Sequence, residues 1–322
     1  MKFLVRKKDD GKRLDIFLSE RIGHLTRSNI KKTIESNDVK INKKITDSPS
    51  KKVKTNDSII VELVIKNSDK LLPSKIKLDI HFEDKDILII NKPKGMVVHP
   101  GAGNHKNTLA NALRYKYKNN LSNLNGLLRP GIVHRIDKET SGLLVVAKNN
   151  ISHARLGKQF SEHTIKRNYI CLVWGVVRPL KGRIETLISR NKKNRQLMTV
   201  SDVNGKKAIT NYKTIKVFNI KNIPKLSLIE CELETGRTHQ IRVHMKYKGA
   251  SLLGDNQYGK KNIKFKKINE DFSKILLSLT GQALHAKSLG FYHPSKGKWV
   301  NFDSNLPKDF KKLLDLLNNL NG

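Results

Sequence analysis

Residues 65–76, IKNSDKLLPSKI, interrupt the hydrophobic patterning of the chain and divide it in two. The stretch mixes Ser, Asn, Asp, Pro and lysine with no period of 2 or 3.6, the composition of a linker. Each side of it must then bury its own apolar residues. The sequence predicts a small module over residues 12–64 and a larger domain over residues 77–322.

In the small module Leu14, Phe17, Leu18 and Ile22 recur at helical spacing. A second helix is expected from Thr26 or Ser28, either of which suits an N-cap, with Ile30 and Ile34 on its inner side. Strands are expected over 39–45 and 58–64. Beyond the linker, strand patterns fall at 78–82, 87–91, 143–147, 169–177, 208–217 and 226–233. Helical patterns fall at 108–117, 152–162, 238–248 and 308–317. Strands dominate without strict alternation with helices, so the fold class is α+β, with a mixed, largely antiparallel sheet in the larger domain.

The formal net charge of +36 favours a polyanionic partner, since each lysine or arginine set on a phosphate releases a counterion. Lysine, asparagine and isoleucine are abundant throughout, so part of the excess is solvated surface. The 15 arginines, against 49 lysines, are more telling. Many sit in short unusual motifs, where a planar fork suits phosphate. Cys171 and Cys231 lie far apart in apolar runs and read as buried hydrophobes in a reducing compartment. Residues 1–13 are charged and lack the apolar core of a secretory signal. No run of 18 apolar residues offers a membrane span. A soluble, cytoplasmic protein is expected.

Two stretches carry chemistry. RPGIVHRIDKETSG (129–142) is polar, punctuated by glycine and proline, and runs directly into the apolar strand at 143–147, so a charged loop is held against the sheet. Arg135 and Asp137, two apart, share a side if the loop is extended. They read either as a structural ion pair or as a functional carboxylate with a cation beside it. LETGRTHQIRVHM (233–245) turns at Thr235–Gly236 and starts a helix near Arg237 or Thr238. Gln240, His244 and Lys248 share one face of it, Ile241 and Met245 another. His239 and His244 are five apart, not the four of a helical zinc pair, so no metal is expected. His134, His239 and His244 read as packing residues. The chain has no GxGxxG before a helix, no P-loop and no GxSxG, so no cofactor is expected either.

HRIDKETSG (134–142) resembles the HRLDxxTSG signature of the ribosomal-type pseudouridine synthases, with Ile136 for leucine. NKPKGMVVHPGAGN (91–104), KRNYICLVWG (166–175), LETGRTHQIRVHM, GDNQYG (254–259) and LHAKSLGFYHP (284–294) are similar to further segments of that family, in order. Together they cover nearly all of residues 76–310. The small module resembles the S4 RNA-binding domain through RLDIFL (13–18), LTRSNIKKTI (25–34) and VKINKK (39–44). The layout is most similar to the large-subunit ribosomal branch.

The resemblance implies isomerisation of uridine to pseudouridine. The N-glycosidic bond breaks, the base turns, and it rejoins through carbon. No atoms are gained or lost, so the chemistry requires neither metal nor redox cofactor. Asp137 is implied as the catalytic carboxylate, acting as nucleophile or as base. Tyr169 is implied to pack on the target base, its hydroxyl aiding the final proton removal. Arg237 is implied as the cation that holds Asp137 ionised. Arg135, beside the carboxylate, is placed to fill the space left by an extruded base. Arg13, Arg27, Lys31 and Lys32 give the S4-like module a basic surface for phosphates.

The expected partner is 23S ribosomal RNA or its large-subunit precursor, met by a monomer with no membrane or metal involved. Three alternatives stay open. One is a synthase for another ribosomal or transfer RNA uridine. Another is a non-catalytic ribosome-assembly factor, against which the joint presence of Asp137, Tyr169 and Arg237 argues. The third is a hydrolytic glycosidase with Glu139 as second carboxylate, which would release free uracil.

Overall fold

Phe17, Leu18, Ile30, Ile34, Val39 and Ile59 meet in one small core, so the helical spacing of the first four and the strand spacing of the last two serve the same interior. Around that core run β1 (Lys2–Leu4), α1 (Leu14–Arg21), α2 (Arg27–Glu35), β2 (Val39–Ile41), β3 (Lys44–Ile45) and β4 (Ser58–Val61). The strands pair antiparallel in the order β1–β4–β2–β3. The stretch 39–45, expected as one strand, is a hairpin. Asn42 and Lys43 both have positive φ, 49° and 69°, as the right-handed twist of a two-residue hairpin requires.

The computed structural model describes residues 1–22, 27–62, 71–101, 103–259 and 269–321. The expected cap Thr26, the end of the expected strand 58–64 (63–64) and residues 65–70 of the expected linker lie outside the described residues. The chain divides into two compact units, Met1–Leu71 with Leu124–Arg129, and Leu72–Asn123 with Pro130–Gly322.

In the first unit Arg13 and Arg27, expected to face phosphates, both clasp the buried Asp15. Arg13 donates through Nε and Nη2 at 3.0 and 3.2 Å, and Arg27 donates through the same pair of atoms at 3.1 and 2.9 Å. A carboxylate with so little solvent needs cations, and these two supply them. Their exposed parts remain at the surface, as do Lys31, 3.6 Å from Glu35, and Lys32.

The second unit contains β5 (Ile80–Glu83), β6 (Ile87–Lys92), α3 (Leu109–Tyr117), β7 (Ser141–Ala147), α4 (Asn150–Ser161), β8 (Lys166–Trp174), β9 (Lys181–Arg190), β10 (Met198–Ser201), β11 (Lys206–Phe218), β12 (Leu226–Leu233), α5 (Gln240–Tyr247), α6 (Glu270–Ser278), β13 (Leu284–Tyr292), β14 (Trp299–Asp303) and α7 (Lys308–Asn321). Its sheet runs β10–β9–β11–β12–β8–β13–β7–β6–β5, with β14 also on β13. Every pairing is antiparallel except β13 with β7. This is the mixed, mostly antiparallel sheet that the strand-rich pattern predicts.

Helices cover the sheet in patches. Phe272 of α6 and Phe310 and Leu313 of α7 pack with Leu172, Trp174 and Leu226. Leu156 of α4 packs with Ile87, Val145 and Phe291. Val243 of α5 packs with Ile188 and Ala208. Every residue of β7 is buried, which explains its unbroken apolar run. Thr108 and Asn111 form a reciprocal capping box at the start of α3, and the side chain of Asn149 caps α4.

Where β7 begins, it lies parallel beside the start of β13, with Ser141 opposite His285 and Gly142 opposite Ala286. Ser141 Oγ and His285 Nδ1 are 2.9 Å apart. Gly142 has φ of 111°, and a Cβ there would sit 2.3 Å from the Ala286 carbonyl oxygen. Only glycine lets the strands close at this point. Gly142→Ala is expected to destabilise the fold by about 2–4 kcal/mol in urea unfolding, from steric overlap and backbone strain together. A change within about 0.5 kcal/mol, as at an ordinary surface site, would contradict this account of the junction.

Candidate active site

The loop ahead of β7 is fastened along its length. Ile132 bridges to Val146. His134 Nε2 accepts the Val145 N–H at 3.0 Å, and its ring stacks on Phe160 at 4.7 Å between centroids. Burial pushes the His134 pKa down to about 3, so it sits there neutral. The Thr140 N–H donates to the Asp137 carbonyl. Lys92, fully buried, donates its ammonium protons to the carbonyls of Pro93, Met96 and Lys138 at 2.8, 2.9 and 3.0 Å. Burial pulls the Lys92 pKa down to about 7, against the charges of Glu139 and Asp137. A loop pinned at these points presents Asp137 in one direction.

The helix α5 approaches from the other side, and its start differs from expectation. It begins at Gln240, not at Arg237 or Thr238, because His239 takes a left-handed conformation with φ of 57°. The buried Gln240 amide organises the entry. Its Oε1 accepts from the Arg237 N–H and from Thr235 Oγ1, and its Nε2 donates to the Ile209 carbonyl and Thr210 Oγ1. His244, one turn on, also meets Thr210, at 2.8 Å. The shared face of Gln240 and His244 is therefore the one that grips β11.

This entry directs Arg242, 5% exposed, at Asp137. Its Nη1 donates to Asp137 Oδ2 at 3.2 Å. Its Nε and Nη2 donate to both oxygens of Asp255, at 2.7 and 2.9 Å, and Nη2 also reaches Gln257 Oε1 at 2.8 Å. The guanidinium lies 4.8 Å over the Tyr258 ring. Burial opposes the Arg242 charge, but hydrogen bonds to Asp255 and the charges of Asp255 and Asp137 carry its pKa above the ordinary value. Burial would raise the pKa of Asp255, yet the Arg242 fork brings it below the ordinary carboxylate value. His239, pushed down by burial, places Nε2 3.9 Å from Asp137 Oδ1. Asp137 Oδ1 has no hydrogen-bond partner among the described residues.

Arg237, expected as the partner of Asp137, is not that partner. The turn before α5 aims it outward, where its Nε donates to the Lys207 carbonyl at 2.8 Å. The sequence pattern does not single out Arg242, because it sits inside the apolar run of the helix. Flanked by Ile241 and Val243, an arginine on a buried stripe must be met by carboxylates, and that was the available signal. Arg167 was also missed. It alternates with Tyr169 along β8, so both side chains share one face of the sheet.

Asp137 stands on the wall between two cavities. The first, about 430 Å³, is lined by Arg135, Ile136, Phe160, Arg167, Tyr169 and Arg237 among others. Tyr169 is 7% exposed, and burial raises its pKa. Arg167, also largely buried, donates to the carbonyls of Leu233 and Glu234. Exposed Arg135 approaches His99 at 3.4 Å. The second cavity, about 520 Å³, shares the Asp137 and Arg242 wall and extends to Asn256 and Gln257. Asp137, Tyr169, Arg135 and Arg237 therefore line one cavity. An apolar, aromatic wall with one carboxylate and several arginines at its rim suits a flat base on an anionic backbone.

The possible metal ligands that cluster among the described residues are Asp84, Asp86 and His293. Their atoms are engaged with one another and with Ser295, Ser152, Asn149 and backbone N–H groups. No helix among the described residues is long and apolar enough to cross a membrane.

Residues 86–247 match the family of RNA pseudouridylate synthases, and residues 12–59 match the S4 domain. The chain is 46% identical over 309 residues to the ribosomal large subunit pseudouridine synthase D of Zymomonas mobilis, covering 95% of this chain and 94% of that protein. It is 39% identical to the enzyme of the same name from Haemophilus influenzae, covering 97% and 93%. It is 41% identical to an uncharacterized RNA pseudouridine synthase of Bacillus subtilis, covering 95% and 94%. The solved structure of human RNA pseudouridylate synthase domain containing 4 shares the fold, with a TM-score of 0.56 at 24% identity over 74% of this chain and 92% of that one.

Arg242→Gln removes the cation from two carboxylates, one of them buried. It is expected to cost about 3–5 kcal/mol in urea unfolding. Arg237→Gln is expected to stay within about 0.5 kcal/mol of wild type. The reverse ranking would contradict the assignment of Arg242 as the central cation.

Proposed function

The chain belongs to the RNA pseudouridylate synthase family, and from that premise we propose that it isomerises uridines of large-subunit ribosomal RNA with Asp137 as the reacting carboxylate. An isomerase of this family acts on RNA. The large-subunit target rests on the names carried by the relatives from Zymomonas mobilis and Haemophilus influenzae. The observation that most supports Asp137 is its position on the wall of the first cavity, one oxygen held by Arg242 and the other without a hydrogen-bond partner among the described residues.

The target uridine leaves its stack, at a cost of about a few kcal/mol, and enters beside Tyr169. Asp137 then attacks as a nucleophile or removes a sugar proton as a base, and the bond from N1 to C1′ breaks. The uracil turns, C5 bonds to C1′, the C5 proton is lost to solvent, and N1 gains one. Tyr169, with its pKa raised by burial, is a neutral phenol at neutral pH. That favours packing and hydrogen bonding to the base over proton removal. Arg135 fills the space that the base vacates, and Arg237 at the rim meets phosphate.

The S4 unit orients the RNA through phosphates. Since Asp15 occupies much of the Arg13 and Arg27 forks, Lys31 and Lys32 carry more of this contact than the arginines do. Replacing both lysines with glutamine should weaken RNA binding several-fold at low salt and reduce the salt slope by about 1.5–2, with turnover at saturation unchanged. An unaltered slope would remove these lysines from the RNA surface.

Pseudouridine mapping on unmodified 23S rRNA tests the reaction itself. Wild type should convert defined uridines, and Asp137→Asn should convert them at less than about a thousandth of that rate while binding RNA within a few-fold. Tight binding by both proteins without conversion would instead favour an assembly factor.

A further inference from the structure

The proposed reaction uses one cavity beside Asp137, and a second cavity lies on the other side of the same wall. At about 520 Å³ it lies within the range that accepts a small ring system. Val98 and Pro100 contribute apolar lining, Asn256 and Gln257 amides, Arg135, Lys138 and Glu139 charge, and Asp137 forms the wall shared with the first cavity. The apolar side chains and amides suit a base, and the cations Arg135 and Lys138 suit the phosphate attached to it.

Gln257 is oriented. Its Oε1 accepts from Arg242 Nη2 at 2.8 Å, and its backbone N–H is held by Asp255 Oδ1 at 3.0 Å. A guanidinium only donates, so the amide oxygen must face Arg242. The two N–H bonds of Nε2 are left without a partner among the described residues. The cavity therefore carries a hydrogen-bond donor whose sense is set by the same arginine that holds Asp137.

We propose that the second cavity receives the base of a nucleotide adjoining the target uridine, and that Gln257 selects a keto base over an amino base there. This rests on the function proposed above. Guanine and uracil present an exocyclic carbonyl, O6 or O4, where adenine and cytosine present an amine, N6 or N4. The Gln257 donor meets the carbonyl. Against an amine, two donors face each other and neither is satisfied, which is the costly arrangement.

The test is binding by full-length Asp137→Asn protein to short RNAs in which the nucleotide on each side of the target is varied in turn. At one of the two positions G and U are expected to bind about tenfold tighter than A and C. Adding Gln257→Glu keeps an oxygen for Arg242 and replaces the donor with an acceptor, so the preference should swing toward A and C. A flat profile at both positions with Gln257 present overturns the proposal, whatever the second variant does. A keto preference that survives Gln257→Glu overturns it too. Turnover of the same RNAs by wild type is scored separately, so failure of the proposed reaction would leave the base preference to be decided by binding.

Discussion

The buried guanidinium of Arg242 is the constraint on which the site depends. A charge so far removed from water is tolerated only when paired and hydrogen-bonded. Of its five N–H groups Asp255 takes two, Gln257 a third and Asp137 a fourth. These partners come from the loop before β7 and the turn after α5, with Arg242 on the helix between them in space. Satisfying one arginine therefore fixes three separate pieces of chain to one another. Asp255 acts as the structural counterion, which leaves Asp137 sharing the cation through one oxygen, the other having no hydrogen-bond partner among the described residues.

The remainder of the second unit holds this arrangement still. Lys92, without access to water, ties three carbonyls, and the one from Lys138 is adjacent to Asp137. Gly142 lets β7 and β13 close together, fixing the end of the loop. On the opposite side, Gln240 and His244 both fasten α5 to Thr210 of β11. The carboxylate is thus placed by backbone and buried polar contacts on both flanks, the kind of preorganisation that a reaction without cofactor chemistry needs.

Much of this was legible in the sequence. The polar loop that runs straight into a buried strand leaves Asp137 open as a structural or a functional carboxylate, and it is the family resemblance that singles out Asp137 and Tyr169. The two-module division, the antiparallel character of the large sheet and helices α3, α4, α5 and α7 follow from periodicity. The misreadings have physical causes. Nothing in the GRTHQIR segment says that His239 adopts a left-handed conformation, and that turn is what sends Arg237 outward and Arg242 inward. Strands β9 and β10 are largely half-exposed and polar, so tertiary pairing rather than side-chain pattern makes them strands. Within 39–45 the hairpin depends on two residues at positive φ, which apolar counting passes over.

In the proposed reaction Asp137, held by Arg242, opens the path from uridine to its carbon-linked isomer. Release of tritium to water from RNA labelled at uracil C5 reads that path directly, because the C5 hydrogen leaves only once the new carbon bond has formed. The account predicts release by wild type in step with pseudouridine formed, and none above background from Asp137→Asn with the RNA still bound. Release by Asp137→Asn at the wild-type rate, or free uracil in place of tritiated water, would contradict it.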